Sequence, residues 1–317
     1  MNMTLPATLL RSDLKHPLIT GVYHGKVRDV YTLADGRMIL LASDRISAFD
    51  VVLPRGIPHK GQVLSQLSWH MLNATAHIAP NWAVAMPDPQ MIIGHRCDPV
   101  KVEMVVRGYL SGHAWRQYSA GHRVLCGAPM PEGLRESDAF PQPIITPSTK
   151  ADAGHDEDIT PDEILRRELC TPGEWETMCR YALGLFAKGQ ALANERGLIL
   201  VDTKYEFGRK DGRILLIDEI HTPDSSRYFY RDGYEERQAN GERQKQLSKE
   251  FVREWLIANH FMGKEGQAVP TMDDAFVQSV SDRYIELFER ITGQRFRSAP
   301  AGDAESRVQR ALEAYLG

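Results

Sequence analysis

The chain has 317 residues, of which 42% are hydrophobic and 25% charged, a composition that supports a buried core and excludes a disordered, fibrous or disulfide-dense protein. Its 38 basic and 42 acidic residues form no long run of like charge, so we expect neither nucleic acid nor a membrane as a partner. No stretch is apolar enough to cross a bilayer or to serve as a secretory signal, so we expect a cytoplasmic location. The four cysteines form no CxxC pair, which favours reduced, mostly buried thiols.

The first part of the chain is predicted to consist of strands and one helix. Residues 22–33 are rich in β-branched and aromatic residues, and the Asp-Gly pair at 35–36 predicts a hairpin turn into a second strand. Apolar residues at helical spacing over 63–71 predict a helix. Alternation over 100–106 predicts a half-buried strand with Glu103 on its polar face. We place a β-rich first lobe at 1–106 and a second lobe at 107–317.

A long irregular stretch follows at residues 127–159. It is rich in proline up to Pro147 and acidic at its end. Such a stretch is typical of a surface excursion and not of a core, and we expect it to act as a lid-like closing element.

Helices with recognisable ends come next. Thr160 and Thr171 are each followed by proline and then, at the third helical position, by glutamate, which is the pattern of a capped N-terminus. Gly197 is expected to end the second helix. The last part of the chain is mostly helical, with Thr271 as the expected cap of one helix. This order of elements predicts an α+β fold in two lobes.

Three charged residues share one face of a predicted strand at 198–206. Because side chains alternate along a strand, Asp202, Lys204 and Glu206 point the same way. Burying three charges without partners would be costly. The pattern therefore indicates either a solvated sheet edge or a site whose ligands compensate the charges.

A second predicted strand, at 213–220, ends in acids. Eleven residues separate Glu206 from Asp218, so a simple antiparallel hairpin puts both on one face and can place them opposite each other. Two facing carboxylates repel unless a cation lies between them, and Mg²⁺ with nucleotide phosphates meets that need. Lys204 would offset charge on a transferring phosphoryl group. We therefore predict a metal–phosphate site.

Lys26 and Arg28 share one face of a predicted strand that starts at a glycine. Neither a P-loop nor a dinucleotide fingerprint occurs in the chain. A strand lysine lying over phosphates, as in protein kinases, is one interpretation. An ordinary solvent-facing pair is the other.

Three further segments combine strand ends or turns with polar side chains. Residues 42–50 run from an apolar strand into small polar residues, which is typical of a ligand loop and equally of an ordinary turn. Arg107 and Ser111, flanked by glycines, suit a phosphate, although Arg107 could instead pair with surface acids. Arg227 follows the acid-ended strand and is a candidate ligand for a phosphate or carboxylate.

These segments resemble the SAICAR synthetase family of purine biosynthesis. The matching stretches are GKVRDVY at 25–31, SDRISAFD at 43–50, VRGYLSG at 106–112, LILVDTKYEFG at 198–208 and IDEIHTPDSSR at 217–227. They cover about residues 21–230 in the family's order, and the last two together are highly specific. One departure is His59, where a smaller or acidic residue would be expected.

The resemblance implies a reaction and a fold. In the reaction, ATP phosphorylates the carboxylate of carboxyaminoimidazole ribonucleotide, and the amine of L-aspartate attacks the acyl phosphate to form an amide. The implied fold is a β-rich nucleotide lobe similar to a kinase small lobe, joined to a larger α+β lobe that carries the C-terminal helices. Mg²⁺ accompanies ATP, and the partners are small molecules, with the protein a monomer or a small homo-oligomer.

The resemblance also implies roles for named residues. Lys204 and Asp202 would lie beside the reacting carboxylate, and Glu206 and Asp218 would hold Mg²⁺. The ATP contacts would be Lys26 and Arg28 at the phosphates and Glu103 at the interlobe hinge near adenine. The substrate contacts would be Arg107, Ser111 and Arg227 at the ribonucleotide phosphate and Asp44, Arg45 and Ser47 near L-aspartate. The alternatives are a small-molecule kinase with the same cleft and a nucleotide-binding regulatory module without turnover.

Overall fold

The N-terminal part of the chain is mainly β-structure, as the sequence predicts. The computed structural model describes residues 5–150, 156–300 and 303–317. β1, β2, β3, β7 and β6 form one antiparallel sheet in that order, and the predicted turn at 35–36 joins β2 to β3. The elements up to residue 95 are β1 (Ile19–His24), β2 (Arg28–Leu33), β3 (Arg37–Ala42), β4 (Ser47–Ala48), β5 (Val51–Val52), α1 (Lys60–Thr75), β6 (Ala83–Asp88) and β7 (Met91–His95).

A second, seven-stranded sheet organises the rest of the chain. Its strands run in the order β11-β8-β13-β15-β16, with β12 also paired to β8 and β14 to β13. The elements from residue 98 to 195 are β8 (Asp98–Tyr109), α2 (Gly112–Ser119), β9 (Val124–Leu125), β10 (Ala128–Pro129), β11 (Ala139–Ile145), β12 (Ser148–Thr149), α3 (Pro161–Arg166) and α4 (Pro172–Glu195). Those that follow are β13 (Leu198–Lys210), β14 (Arg213–Ile217), β15 (Ser226–Tyr230), α5 (Tyr234–Asn240), β16 (Gln246–Leu247), α6 (Glu250–Ala258), α7 (Asp274–Thr292) and α8 (Ala304–Leu316).

The two sheets give a two-lobe α+β architecture, and the strand that contains the predicted boundary at 106/107 lies in the second sheet. All of β8 belongs to the second sheet, so the first sheet ends at His95, and residues 96–97 join the two. Alternation over 100–106 shows a strand but cannot show which sheet the strand joins. The C-terminal α8 returns to the first sheet, where Val308 and Leu312 are buried with Tyr31 and Leu41.

The stretch at 127–159 is more ordered than the sequence suggests. Its β11 and β12 both pair with β8, and Phe140 is buried in a small core with Leu125 and Met130. Proline content hid these strands because it weakens the strand signal without excluding an edge strand. Residues 151–155 lie outside the described part of the chain. The described part is therefore an extension of the sheet and gives no support to a lid.

The helix ends follow local sequence closely. The Thr160 and Thr171 side chains cap α3 and α4 as predicted, and Thr171 and Glu174 form a full capping box. The third predicted cap is wrong, because Asp273 and not Thr271 accepts a hydrogen bond from the Phe276 backbone N–H of α7. Both residue types serve as caps, so the sequence leaves a choice two residues apart.

One large core lies beneath the second sheet and joins the lobes. Helices α1, α4 and α7 contribute Leu67, Phe186 and Leu287, and β13 contributes Tyr205 and Phe207, all completely buried. Full burial of side chains of this size stabilises the fold by about 2 kcal/mol each. Among the described helices, none is both long and apolar enough to span a membrane.

Candidate active site

The central strand β13 brings the predicted row of charges into the middle of the second sheet. Asp202 lies opposite Arg107 of β8, and Glu206 lies opposite Glu103. On its other side Glu206 faces Ile217 of β14. The predicted direct pairing of Glu206 with Asp218 is therefore wrong by one residue, because β14 ends at Ile217 and Asp218 turns out of the strand with φ 60°.

Two lysines compensate the facing carboxylates of Glu103 and Glu206. The Lys204 ammonium bonds to Glu103 and donates to Glu206 Oε1 at 2.9 Å. Lys150 donates to the other oxygen of Glu206. The side chains of Glu103 and Glu206 are 9% and 7% exposed, whereas those of Lys204 and Lys150 are 35% and 37% exposed, so two buried acids face two partly exposed lysines.

The protonation equilibria follow from this network. Burial alone would raise the pKa of Glu206, but the adjacent Lys204 and Lys150 outweigh it and lower the pKa to about 2. Burial raises the pKa of Glu103, since one lysine opposes the change while Glu206 adds to it. Burial would lower the pKa of Lys204, but its two carboxylate partners raise it instead. Glu206 and Lys204 are therefore ionised at neutral pH.

A second charged group lies at the end of β14. Arg28, from the first sheet, forms ion pairs with Asp218 Oδ1, at 3.4 Å, and with Glu219. Burial raises the pKa of Asp218; Arg28 opposes the shift, whereas Glu206 and Glu219 add to it. Negative charge is thus in excess where β13, β14 and the first sheet meet.

At the other end of the row, Asp202 lies between two arginines. Its Oδ2 accepts from Arg227 at 2.8 Å and from Arg107 at 3.4 Å. Arg227 also donates to Glu250 at 3.1 Å. Gly112 has φ 58°, and a Cβ there would lie 2.6 Å from the Arg227 guanidinium, so only glycine allows this approach.

A cavity of about 690 Å³ opens beside this arginine group. Ser111 and Arg227 line it together with Arg116, Arg135 and Arg243. Guanidinium groups that line one cavity are suited to a phosphate or a carboxylate, although four glutamates, at 136, 242, 250 and 254, line this cavity too. Arg107 and Arg227 thus meet at Asp202, and Ser111 lines the cavity with Arg227; their role in binding a phosphate stays a prediction.

Residues 43–47 are placed differently. The Asp44 carboxylate accepts from the backbone N–H of Leu9 at 2.7 Å and of Gly61 at 2.9 Å. Arg45 donates to Asp29 at 2.8 Å and to three backbone carbonyls, and Ser47 lies in the two-residue strand β4. Burial raises the pKa of Asp44 to about 6. These side chains hold the loops of the first lobe in place.

The two predicted nucleotide contacts of the first sheet lie in different settings. Lys26, in the turn between β1 and β2, is about half exposed and forms an ion pair with Asp50. Arg28 is 13% exposed and reaches the acids of the second lobe. Arg28 thereby links the two sheets.

The sequence matches the SAICAR synthetase family over residues 21–269. The chain belongs to the SAICAR synthetase family. It is 57% identical over 309 residues to the phosphoribosylaminoimidazole-succinocarboxamide synthase of Bacteroides thetaiotaomicron, covering 97% of this chain and 98% of the relative. It is 59% identical over 289 residues to that of Cytophaga hutchinsonii, covering 91% and 93%.

Solved structures agree with this assignment. The SAICAR synthase of Saccharomyces cerevisiae, solved in complex with SAICAR, is 32% identical, with a TM-score of 0.78, covering 92% of this chain and 100% of that chain. A SAICAR synthetase in complex with ADP, 23% identical, shares the fold with a TM-score of 0.68, covering 88% and 100%. The chain is therefore an amide-forming ligase of purine biosynthesis.

Family membership makes the misplaced and missed residues informative. Glu103 lies inside β8 and not in the link at 96–97 between the two sheets, and its predicted place at an interlobe hinge near adenine stays a prediction. Lys150 and Glu219 belong to the charged network but were missed. Glu219 follows Asp218 directly, and this pair of acids at a strand end was a usable signal. Lys150 lies after β12 and had no such signal, because only the fold brings it to Glu206.

The donors present fit a magnesium ion that arrives with a nucleotide. Within the described residues, no group of three or more His, Cys, Asp or Glu side chains forms a dedicated metal cage. Mg²⁺ needs no such cage, since one or two carboxylates, phosphate oxygens and water complete its octahedron. Glu206 and Asp218, which interact electrostatically within an excess of negative charge, would be the carboxylates of such a site.

Proposed function

We propose that the chain uses ATP to convert the carboxylate of carboxyaminoimidazole ribonucleotide into an acyl phosphate, which the amine of L-aspartate attacks. The products are SAICAR, ADP and phosphate. The observation that carries this proposal is the uneven distribution of charge along β13. Arginines surround Asp202 at one end of the charged row, and acids surround Glu206 at the other. Four residues of strand span about 13 Å, which suits a ribonucleotide with its phosphate at one end and its carboxylate near the other.

The chemistry explains why ATP is required. A carboxylate resists attack by an amine because the leaving group would be oxide. Transfer of the γ-phosphoryl group to a carboxylate oxygen makes phosphate the leaving group. The amine nitrogen then bonds to the carbonyl carbon, the C–O bond to phosphate breaks, and the nitrogen loses a proton. No side-chain nucleophile takes part.

The charged network of β13 supplies what these steps need. We assign Lys204 to the reacting carboxylate and the transferring phosphoryl group, whose developing charge it offsets. Asp202 holds Arg227 and Arg107 in position, and these two with Ser111 bind the ribonucleotide phosphate. Glu206 and Asp218 would hold Mg²⁺, which would supply positive charge to offset that of the nucleotide phosphates.

The first sheet is suited to the nucleotide. An apolar surface containing Val30, Met86, Cys97 and Ile217 lies around buried Trp82, at the junction of the two sheets. Partly buried apolar side chains of this kind suit a purine base. We assign this surface to adenine and assign Lys26 and Arg28 to the phosphates.

The test is an ADP-release assay on the purified protein, with the ribonucleotide present and L-aspartate added or omitted. We expect sustained ADP release and SAICAR formation only with all three substrates. A small-molecule kinase would release stoichiometric ADP and phosphorylated product without aspartate. A regulatory nucleotide-binding protein would release none, and either result would overturn the proposal.

A further inference from the structure

The two carboxylates assigned to the metal already have cationic partners within the chain. Both oxygens of Glu206 accept hydrogen bonds from lysines, Oε1 from Lys204 and Oε2 from Lys150. Asp218 forms an ion pair with Arg28 at 3.4 Å. A divalent cation needs the same carboxylate oxygens and is repelled by an ammonium group beside them. Metal binding therefore requires at least one of these internal cations to move.

Two of the three internal cations keep an acid partner when a metal binds. Arg28 also pairs with Glu219, and Lys204 also bonds to Glu103. The metal assignment uses neither of these two acids. Arg28 and Lys204 can therefore give up their share of a metal carboxylate and stay in place.

Lys150 is the internal cation that is able to leave. Its backbone is fixed, because its N–H donates to the Lys101 carbonyl of β8 at 3.2 Å. Its side chain is 37% exposed, compared with 7% for Glu206, so water can solvate the ammonium when it leaves the carboxylate. Because Lys150 follows β12 and does not lie on β13, rotation about its side-chain bonds needs no movement of the central strand.

The formal charge of the whole group also favours an exchange of Lys150 for a divalent ion. Four acids and three bases make up the group, namely Glu103, Glu206, Asp218, Glu219, Lys150, Lys204 and Arg28. A divalent ion added to all of them would turn a single negative charge into a single positive one. A divalent ion in place of the Lys150 ammonium would instead leave the group neutral.

We propose that Lys150 is an internal counter-ion of Glu206 that keeps divalent metal out of this site until a nucleotide brings it. The proposal rests on the proposed function, which assigns Mg²⁺ to Glu206 and Asp218. Without nucleotide, the Lys150 ammonium compensates a buried carboxylate that would be costly to leave with less positive charge beside it. When a nucleotide brings Mg²⁺, Lys150 gives up Glu206, and the negative phosphates compensate the displaced ammonium. Glu206 therefore has a cation beside it in both states.

The test is a titration of the purified protein with Mn²⁺, an ion that binds the same oxygen ligands and whose free form is measured by electron paramagnetic resonance. Without nucleotide, we expect the unmodified protein to bind Mn²⁺ weakly. Lys150→Met should bind it about 10- to 100-fold more tightly, as expected when an energetic coupling between two sites is removed. With ADP present, where the ion enters as its ADP complex, both proteins should bind it with nearly equal affinity.

Further variants separate the charge of Lys150 from its hydrogen bond. Lys150→Gln lacks the charge but can still donate to Glu206, so it should resemble Lys150→Met. Lys150→Arg keeps the charge and should resemble the unmodified protein. Lys245→Met, which removes a positive charge from an exposed position, is the matched control and should leave the Mn²⁺ affinity unchanged. Adding Glu206→Gln to Lys150→Met should abolish the gain in affinity.

Two results would overturn the inference. One is equal Mn²⁺ affinity, without nucleotide, of the unmodified protein and of Lys150→Met or Lys150→Gln, each shown to be folded by thermal melting. The other is tight Mn²⁺ binding by the unmodified protein without nucleotide. If Glu206→Gln alone left Mn²⁺ binding with ADP unchanged, the metal assignment itself would be wrong. These titrations need no turnover, so a failure of amide formation, which tests the proposed function, is a separate result.

Discussion

Two charged segments of similar composition, residues 43–45 and residues 202–206, have opposite uses in this molecule. In the first, Asp44 and Arg45 are bonded mainly to backbone groups and to one buried acid. In the second, Asp202, Lys204 and Glu206 are bonded to other ionised side chains. Both segments follow the apolar part of a strand, and both looked like sites in the sequence.

The two segments differ in whether a substrate can replace the hydrogen-bond partner of each charged side chain. A backbone N–H that loses its acceptor in the interior is left unsatisfied, at a cost of about 1–3 kcal/mol. Lys204 can exchange Glu206 for a substrate oxygen while Glu206 keeps Lys150 as its cationic partner. We therefore expect changes in 202–206 to reduce turnover and changes in 43–45 to reduce stability.

The sharpest test of this difference is Lys204→Met. We expect kcat to fall about 100- to 1,000-fold, because the variant lacks the cation that offsets charge on the transferring phosphoryl group. The variant should also unfold more easily, since Glu103 and Glu206 would face each other with only Lys150 to compensate. Single-turnover kinetics and urea unfolding measure the two effects separately.

The matched control is Lys210→Met, at the exposed end of the same strand. Lys210 pairs with Asp211, which is 81% exposed, so its loss should leave kcat and stability nearly unchanged. Near-normal turnover by Lys204→Met would remove Lys204 from the reaction. It would also show that the network on β13 is structural, like residues 43–45.

A smaller effect is expected from Arg227→Lys. The charge beside Asp202 is kept, but the planar fork that bonds both Asp202 and Glu250 and faces the cavity is lost. We expect the KM for the ribonucleotide to rise about tenfold with kcat little changed. Arg231→Lys, an exposed position on the same part of the chain, should have no effect. A fall in kcat with an unchanged ribonucleotide KM would contradict the phosphate assignment.

The parts of the fold that the sequence predicted correctly depend on neighbours in the chain. The caps at Thr160 and Thr171 and the hairpin at 35–36 require only a few adjacent residues. The charged row on β13 was also predictable, because alternation along a strand is a local property.

The parts that were missed depend on distant pairing. The sequence cannot show that β8 joins the second sheet, that α8 returns to the first, or that Lys150 reaches Glu206. β14 ends at Ile217, so Ile217 and not Asp218 lies opposite Glu206. The register of a hairpin depends on where its turn begins, which the sequence does not show. The use of Asp44 as a backbone acceptor likewise requires the positions of Leu9 and Gly61.

On the structural side of the comparison, Asp44→Asn should lower the free energy of unfolding by about 1–3 kcal/mol at pH 7 while kcat stays unchanged. An asparagine amide can accept one of the two backbone hydrogen bonds but not both. Urea unfolding measures the loss. Asp232→Asn, at an exposed position, is the control.

The same variant has a defined pH dependence. Burial raises the pKa of Asp44 from 3.8 to about 6, so the folded protein binds this proton more tightly than the unfolded chain does. The stability that Asp44 contributes is therefore greatest below pH 4 and declines as the pH rises through 6. The difference in unfolding free energy between the unmodified protein and the variant should be larger at pH 5 than at pH 7.5. A difference that grows with pH would show that the carboxylate is already ionised at pH 5.

The smallest effect is expected at the C-terminal end of β13. There Arg209, like the charged residues of 43–45, supports the fold. Glu174 accepts from Arg209 at 2.6 and 3.0 Å and from the Thr171 backbone N–H at 2.8 Å, so this pair ties the start of α4 to the strand. The Arg209 bond, assisted by the capping contact, lowers the pKa of Glu174 from 4.5 to about 2. Because folding lowers this pKa, the stability that Glu174 contributes is present above pH 4.5 and is lost as the pH falls through 2.

Glu174→Gln should therefore reduce the free energy of unfolding by about 0.5–1 kcal/mol at pH 7, a value that allows for solvent screening of the partly exposed pair. This loss of unfolding free energy should be smaller at pH 3 than at pH 7, and kcat should not change. Glu176→Gln, exposed on the same helix, is the control for a change of net charge. If Glu174→Gln instead lowered kcat, the functional charges of β13 would extend as far as Arg209. The distinction between charges that exchange their partners with a substrate and charges that only support the fold would then fail within this one strand.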